Sequence, residues 1–250
     1  MNAQTVPTPS AAHASGAALA SGAALASGAA LASGAALASQ GSRASRRNLW
    51  RGVACASAAA AMAAWWMTDT APYPYSQRWL LDLPLPFLSL RRLDRMLMPS
   101  PGMRVLEIGP GTGLQSLHVA PQLGERGRLD VVDVQQPMLD HVSARAAKLG
   151  VGNIVPTLAD AHSLPFEDET FDAAYLVTAI GEIPEPAVTL GELRRVLKPA
   201  GRLVVGEFFD RHQIRPARLI AHADSARLHV TQIIGPPFAY YAALRPCGAA

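Results

Sequence analysis

"RVLEIGPGTGLQ", residues 104–115, joins a short apolar run to three glycines spaced by single residues, with an acid two positions before the first of them. An apolar run of that length reads as a buried strand, and the glycines behind it as a turn whose backbone can bend sharply and approach a ligand without a Cβ in the way. In an open parallel sheet the first strand–helix turn is the floor of the ligand site. The spacing separates the ligand classes that use such a turn. A dinucleotide fingerprint, G-x-G-x-x-G, needs its third glycine at 114, where the chain has Leu114, and no G-K-[ST] for a triphosphate follows. Glu107 beside the turn repels phosphate and suits a cation.

Outward from that turn, strands and helices alternate. "GLQSLHVAPQL" (113–123) is a predicted helix opening on the glycines, and "GRLDVVDV" (127–134) a second strand. "PMLDHVSARAAKLG" (137–150) is a helix with proline at its first position, Met138, Leu139, Val142 and Leu149 on one face and Gly150 past its end. "NIVPTLAD" (153–160) and "FDAAYLVTAI" (171–180) are the third and fourth strands. "PAVTLGELRRVL" (186–197) is a helix with Val188, Leu193, Val196 and Leu197 at helical spacing, and "GRLVVGEFF" (201–209) the fifth strand. A helix around 214–225 follows. "RLHVTQII" and "FAYYAAL" are separated only by "GPP", too short for a parallel crossover, so they run antiparallel to each other. The expected fold is α/β: a doubly wound, mainly parallel seven-stranded sheet ending in an antiparallel hairpin. Tyr240 and Tyr241, adjacent on a strand, point to opposite faces.

Upstream the character differs. Residues 14–37 are four copies of "ASGAAL", too poor in bulky side chains to bury a core, and residues 1–70 are expected to form a disordered leader before a domain over 71–246. Within it, "SRRNLWRGVACASAAAAMAAWWM" (45–67) resembles a twin-arginine export signal, but Arg51 leaves an apolar run of 16 residues, short of the roughly 20 that span a bilayer. The favoured reading is a cytoplasmic chain, membrane association or export through the leader being the alternative. "SQRWLLDLPLPFLSLRRLDRMLM" (76–98), interrupted by Pro84 and Pro86, predicts two short amphipathic helices that pack against or lid the domain, with Trp79 and Phe87 toward the ligand.

Charge and cysteines narrow the function. The formal charge of +3 comes from Arg43, Arg46, Arg47 and Arg51, all upstream of the first acid, Asp69; the remainder has 18 basic and 19 acidic residues. That near neutrality argues against a nucleic-acid surface. Cys55 and Cys247, near opposite ends, make neither a disulfide framework nor a metal cluster.

The motifs resemble those of the S-adenosylmethionine-dependent methyltransferases with a Rossmann-like fold. "VLEIGPGTG" (105–113) looks like their first motif, "GRLDVVDVQQPMLDHV" (127–142) their second, "LADAHSLPFEDETFDAAYLV" (158–177) their third stretch, and "LGELRRVLKPAGRLVVGEF" (190–208) their following helix and strand. The resemblance implies S-adenosylmethionine as cofactor. Glu107, Gly109, Pro110, Gly111, Thr112 and Gly113 would hold its aminoacyl end, Asp133 its ribose hydroxyls, and Asp160 and Ala161 its adenine. Val134, Gln135, Met138 and Thr178 are assigned to the same site. Within the family the likeness is to the small ubiquinone and menaquinone biosynthesis C-methyltransferases, from whose pattern "IGEIPEP" (180–186) departs. The acceptor is expected to be a small, apolar molecule, with Glu182 as a candidate general base and no metal. Plainer readings stand beside these: Asp133 capping the next helix, Asp160 an ordinary loop residue, Glu107 tying down backbone amides, His118 a packed side chain, and Glu182 capping the helix after it. A nucleotide-binding oxidoreductase and a non-catalytic cofactor-binding module are the alternative functions.

Overall fold

The β-branched and apolar runs form seven strands: β1 (Arg104–Ile108), β2 (Arg128–Asp133), β3 (Ile154–Leu158), β4 (Phe171–Val177), β5 (Leu197–Phe208), β6 (Leu228–Ile234) and β7 (Ala239–Pro246). They make one sheet in the order β3-β2-β1-β4-β5-β7-β6. β1 to β5 are parallel, and β7 runs antiparallel to both β5 and β6. From β1 the chain walks outward to β3 and returns on the other side as β4, so strand order reverses between β1 and β4. That switch point is where open α/β sheets bind ligands. The computed structural model describes residues 74–82, 89–209 and 212–248, with Val53, Ser57 and Ala60. The chain divides into units Met1–Met67 and Thr68–Ala250. The three isolated positions of the first unit are helical and exposed. The repeats, the rest of the apolar run and Phe87 lie outside the described residues, as does the side chain of Trp79.

Among the described residues of the second unit, the α-helices are α1 (Leu90–Leu97), which precedes the sheet, and α2 (Ser116–Val119), α3 (Gln136–Leu149), α4 (Pro186–Val196) and α5 (Pro216–Ser225), which lie between strands. Each of the last three begins at a proline in its first two positions, where the missing N–H costs nothing. Residues of α1, α2 and α3 bury one sheet face with Val105, Leu129, Val131, Tyr175 and Tyr241. α4 and α5 bury the other with Leu106, Ile108, Leu176 and Tyr240. The two tyrosines are fully buried on opposite faces, as strand alternation requires. No described helix is long and apolar enough to cross a membrane.

Several local readings are corrected. The two expected leading helices are a 3-10 helix (Tyr75–Asp82) and α1. The helix expected over 113–123 is one α-turn followed by a 3-10 turn (Ala120–Leu123), because Pro121 has no N–H to continue the ladder. Leu149 is 63% exposed at the last residue of α3, where Gly150 (φ +70°) turns the chain away; Ala146 is buried instead. Val188 is 45% exposed because it lies two residues, about 200° around the helix, from Leu190, which with Leu193 and Val196 forms the buried stripe. His118 is not packed among apolar side chains: its Nε2 lies 2.9 Å from Asp94 of α1.

Candidate functional site

Glu107, one residue from the end of β1, is 2% exposed on the α1–α3 face. Ser116, at the start of α2, donates its hydroxyl to Glu107 Oε2. Tyr175, opposite in the β1–β4 register, faces the same carboxyl, although its hydroxyl finds no partner in full hydrogen-bond geometry. Burial pushes the Glu107 pKa up to about 7; the hydroxyls of Ser116 and Tyr175 pull it down and the charge of Asp133 raises it. The Tyr175 phenol is held well above its ordinary range by burial and by that carboxylate.

The glycine turn leaves β1 in the left-handed region. Gly109 has φ +66°, and a Cβ there would sit 2.9 Å from Ala179 Cβ, closer than real side chains approach. Its N–H donates to Val132 O (2.8 Å), tying the turn to the end of β2. Gly113 (φ +81°) lies against Val142 of α3, where a Cβ would meet the valine methyls at 3.1 Å. Thr112 is buried and donates its hydroxyl to Asp82 Oδ1 (2.8 Å), while Arg145 of α3 donates to both Asp82 (3.0 Å) and Thr112 O (2.8 Å). The leading 3-10 helix is thereby clasped to the turn.

Asp133 ends β2. Its Oδ1 accepts the Gln135 N–H at 2.8 Å, so the plain local-turn role is real, but it occupies one carboxylate oxygen, and no side chain caps α3. Burial raises its pKa, against the lowering effect of the Gln135 and Val134 N–H groups. Val134 is 53% exposed, an apolar side chain turned outward beside the acid, whereas Met138 is buried in the first turn of α3. Next along the edge, Ala159 N–H donates to Asp133 O (3.2 Å), bringing the end of β3 beside that of β2. Asp160 there accepts from His162 N–H (2.9 Å) and contacts His162 Nδ1 (2.8 Å). His162 Nε2 meets Pro184 O in the loop after β4, and that contact leads the causes that raise its pKa. Ala161 is buried.

On the other side of β1, Thr178 follows β4 with φ +54°, a costly conformation for a β-branched residue, held by its N–H to Gly206 O (2.7 Å). Glu182 Oε1 lies 3.6 Å from His212 Nδ1. Ile214 is pinned by its N–H to buried Glu207 Oε2 (2.9 Å) and by Tyr240 Oη to its carbonyl (2.6 Å). The assigned residues therefore occupy the C-terminal ends of four neighbouring strands, β3-β2-β1-β4, with Glu182 toward β5. Ser116, Tyr175, Asp82, Arg145, His162 and His212 were not in the sequence reading. His162 and His212 carry a usable signal, each lying four residues past the end of a parallel strand.

The methyltransferase domain family model matches residues 105–201, from β1 into β5. The ubiquinone/menaquinone biosynthesis C-methyltransferases UbiE of Paraburkholderia xenovorans and Cellvibrio japonicus are 41% and 38% identical over 109 and 112 residues, or 43% and 44% of this chain. The chain spans under half of those relatives' length, 44% and 45%. Among solved structures, a SAM-dependent methyltransferase from Aquifex aeolicus superposes with a TM-score of 0.62 at 23% identity, over 70% of this chain and 98% of that one. The [4+2]-cyclase SpnF superposes at 0.57 and 20%, over 64% and 80%. At these identities the likeness is one of fold, and a fold hosts more than one chemistry.

Proposed function

We propose that this chain, which carries the methyltransferase domain and Rossmann-like fold of the S-adenosylmethionine-dependent methyltransferases, transfers the methyl group of S-adenosylmethionine to a small, apolar acceptor. The observation that supports this most is the pair of carboxyls, Glu107 and Asp133, both raised by burial and standing on either side of a glycine turn. A buried and a half-buried acid repel each other and any phosphate, and a ligand bearing ammonium, sulfonium and hydroxyl donors relieves both. A nicotinamide dinucleotide would bring its pyrophosphate to that turn, which together with Leu114 disfavours the oxidoreductase reading.

In the proposed arrangement Glu107 and the turn from Gly109 to Gly113 take the aminoacyl end. The oxygen of Asp133 not engaged by Gln135 accepts from the ribose hydroxyls. Asp160, Ala161 and Val134 border the adenine, with Gln135, Met138 and Thr178 completing the site. S-adenosylmethionine supplies a methyl already activated on sulfur, so the chain's task is alignment and water exclusion, which in well-oriented reactions is worth about 7–11 kcal/mol. The relatives are named for quinone biosynthesis, and Phe209 (73% exposed) and Phe238 (47% exposed) flank the paired positions Phe208 and Ala239 as an apolar border on the acceptor side. Both support a hydroquinone ring as acceptor. Calorimetry tests the cofactor and transfer of labelled methyl to 1,4-naphthalenediol tests the acceptor class. Heat with S-adenosylmethionine and S-adenosylhomocysteine but not with NADH is expected; the reverse pattern would overturn the reading.

A further inference from the structure

We propose that His212, positioned by Glu182, takes the proton that the acceptor loses as it is methylated, so that the acceptor is a phenol or hydroquinone rather than a group methylated without proton loss. The proposal rests on the methyl-transfer reading and makes Glu182 a positioning residue instead of the base.

Placement comes first. With adenine at β3, ribose at β2 and the aminoacyl end at β1, the next strands along the edge are β4 and β5, so the acceptor approaches over their C-terminal ends. Glu182 lies in the loop after β4 and His212 in the loop after β5. Their side chains are 16% and 7% exposed, with Nδ1 and Oε1 3.6 Å apart. At that distance the contact is one of charge, which strengthens only when the imidazole is protonated; such pairs often tighten when substrate binds.

The two loops are pressed together backbone to backbone. A Cβ at Gly181 would sit 1.8 Å from the His212 carbonyl oxygen, so only glycine lets them approach this closely. Two residues on, Ile214 is fixed through Glu207 on β5 and Tyr240 on β7. Among the described residues, these two and Glu182 are titratable groups on the segments packed against His212. Burial holds the Tyr240 phenol far above its ordinary range, so it stays protonated. Glu207 Oε2 is engaged by the Ile214 N–H. Histidine alone among these types ordinarily changes charge near neutrality.

In the step, an acceptor oxygen gives its proton to the imidazole while that oxygen, or the ring carbon conjugated to it, forms a bond to the methyl carbon; on carbon this gives the keto tautomer, whose ring carbon then loses its own hydrogen as a proton while the oxygen regains one. The sulfur–methyl bond breaks with its electron pair going to sulfur. The positive charge lost from sulfur reappears on the imidazolium, facing Glu182, and leaves to water as a proton.

The test uses the full chain, S-adenosylmethionine and 1,4-naphthalenediol. His212→Asn is expected to lower kcat about 100-fold or more, to leave S-adenosylmethionine affinity within about twofold, and to abolish the acid limb of the kcat–pH profile. Glu182→Gln is expected to lower kcat about tenfold and to move that limb to lower pH, because imidazolium loses its counter-charge. Added imidazole should partly restore His212→Ala, which a structural role would not allow. Independently of turnover, 1,4-naphthalenediol added to the S-adenosylhomocysteine complex should shift the His212 ring C–H resonance. A His212→Asn enzyme within threefold of wild type with the same acid limb, or an unmoved His212 resonance, overturns the proposal alone. A wild-type chain that binds S-adenosylmethionine but methylates no hydroquinone or phenol overturns the acceptor reading and this proposal together.

Discussion

Glu107 serves two opposed demands. The empty fold prefers it neutral, since burial lifts its pKa from 4.5 to about 7, whereas a cationic ligand prefers it charged. A carboxyl raised in the folded state gives its full stabilisation below the unfolded pKa and loses it as pH rises through the folded one. The ligand-free protein should therefore lose about 3 kcal/mol from this group between pH 4.5 and about 7, checked by chemical denaturation across that range. S-adenosylmethionine affinity should move the opposite way, rising through pH 7 with proton release, measured by calorimetry in buffers of different ionisation enthalpy. Glu107→Gln separates the two: at pH 8 it should stabilise the ligand-free protein while weakening S-adenosylmethionine binding about 10- to 100-fold, the worth of a charged hydrogen bond. Equal affinity in the wild-type and Glu107→Gln proteins would remove the electrostatic argument. The acid itself was legible because its offset from the glycines is local. Ser116 and Tyr175 were not, because what brings them to Glu107 is strand register and the angle of α2, neither of which spacing along the chain encodes.

At the scale of elements, apolar runs located every strand, because a strand buried on both faces must be apolar throughout; the larger misses are at β5, which begins at Leu197 and not at 201, and at β4, which ends at Val177 and not at 180. Helix readings failed at the ends and on the outer face. Val188 is apolar yet sits off the stripe, and Pro121 cuts the helix after the glycine turn short. The two edges of the sheet also divide the polar groups. Toward the strand starts, Asp130 is fully buried and takes Arg104 Nε (3.0 Å) and the Arg128 guanidinium, while Asp172 takes Arg104 N–H (2.8 Å) and Lys198 Nζ (2.6 Å). These groups register β1, β2, β4 and β5 and lie on the strands, not beyond their C-terminal ends. Asp130→Ala leaves a small buried gap and removes the hydrogen bonds of two arginines that are themselves partly in water, and should cost about 1–2 kcal/mol, read as a lower denaturation midpoint at unchanged slope. S-adenosylmethionine affinity should stay within about twofold. A large loss of binding at full stability would mean that this edge, and not the C-terminal one, carries the ligand.

For the whole molecule, the alternation of strand and helix, which lapses between β3 and β4, left few topologies, and the three-residue GPP link forced the last two strands to be antiparallel; this is why the sheet could be read before any contact was known. Which strand neighbours which was not written there, since β4 joining β1 on the side away from β2 follows from packing and the right-handed crossover rule. Composition also divides the chain. Four arginines precede the first acid, so cleavage after Arg51 would change the formal charge from +3 to −1, and nothing assigned to the cofactor lies upstream of that bond. Brief trypsin treatment should cut first among Arg43, Arg46, Arg47 and Arg51, where the flanking ASGAAL repeats and alanine run offer few bulky side chains to protect the backbone. The product beginning at Gly52 should leave a cation exchanger at pH 7 that retains the intact chain, and should give the same calorimetric heat with S-adenosylmethionine. If that heat disappears on cleavage, the leader contributes to the site, and a cofactor seat built only on the ends of β1 to β4 is the wrong account.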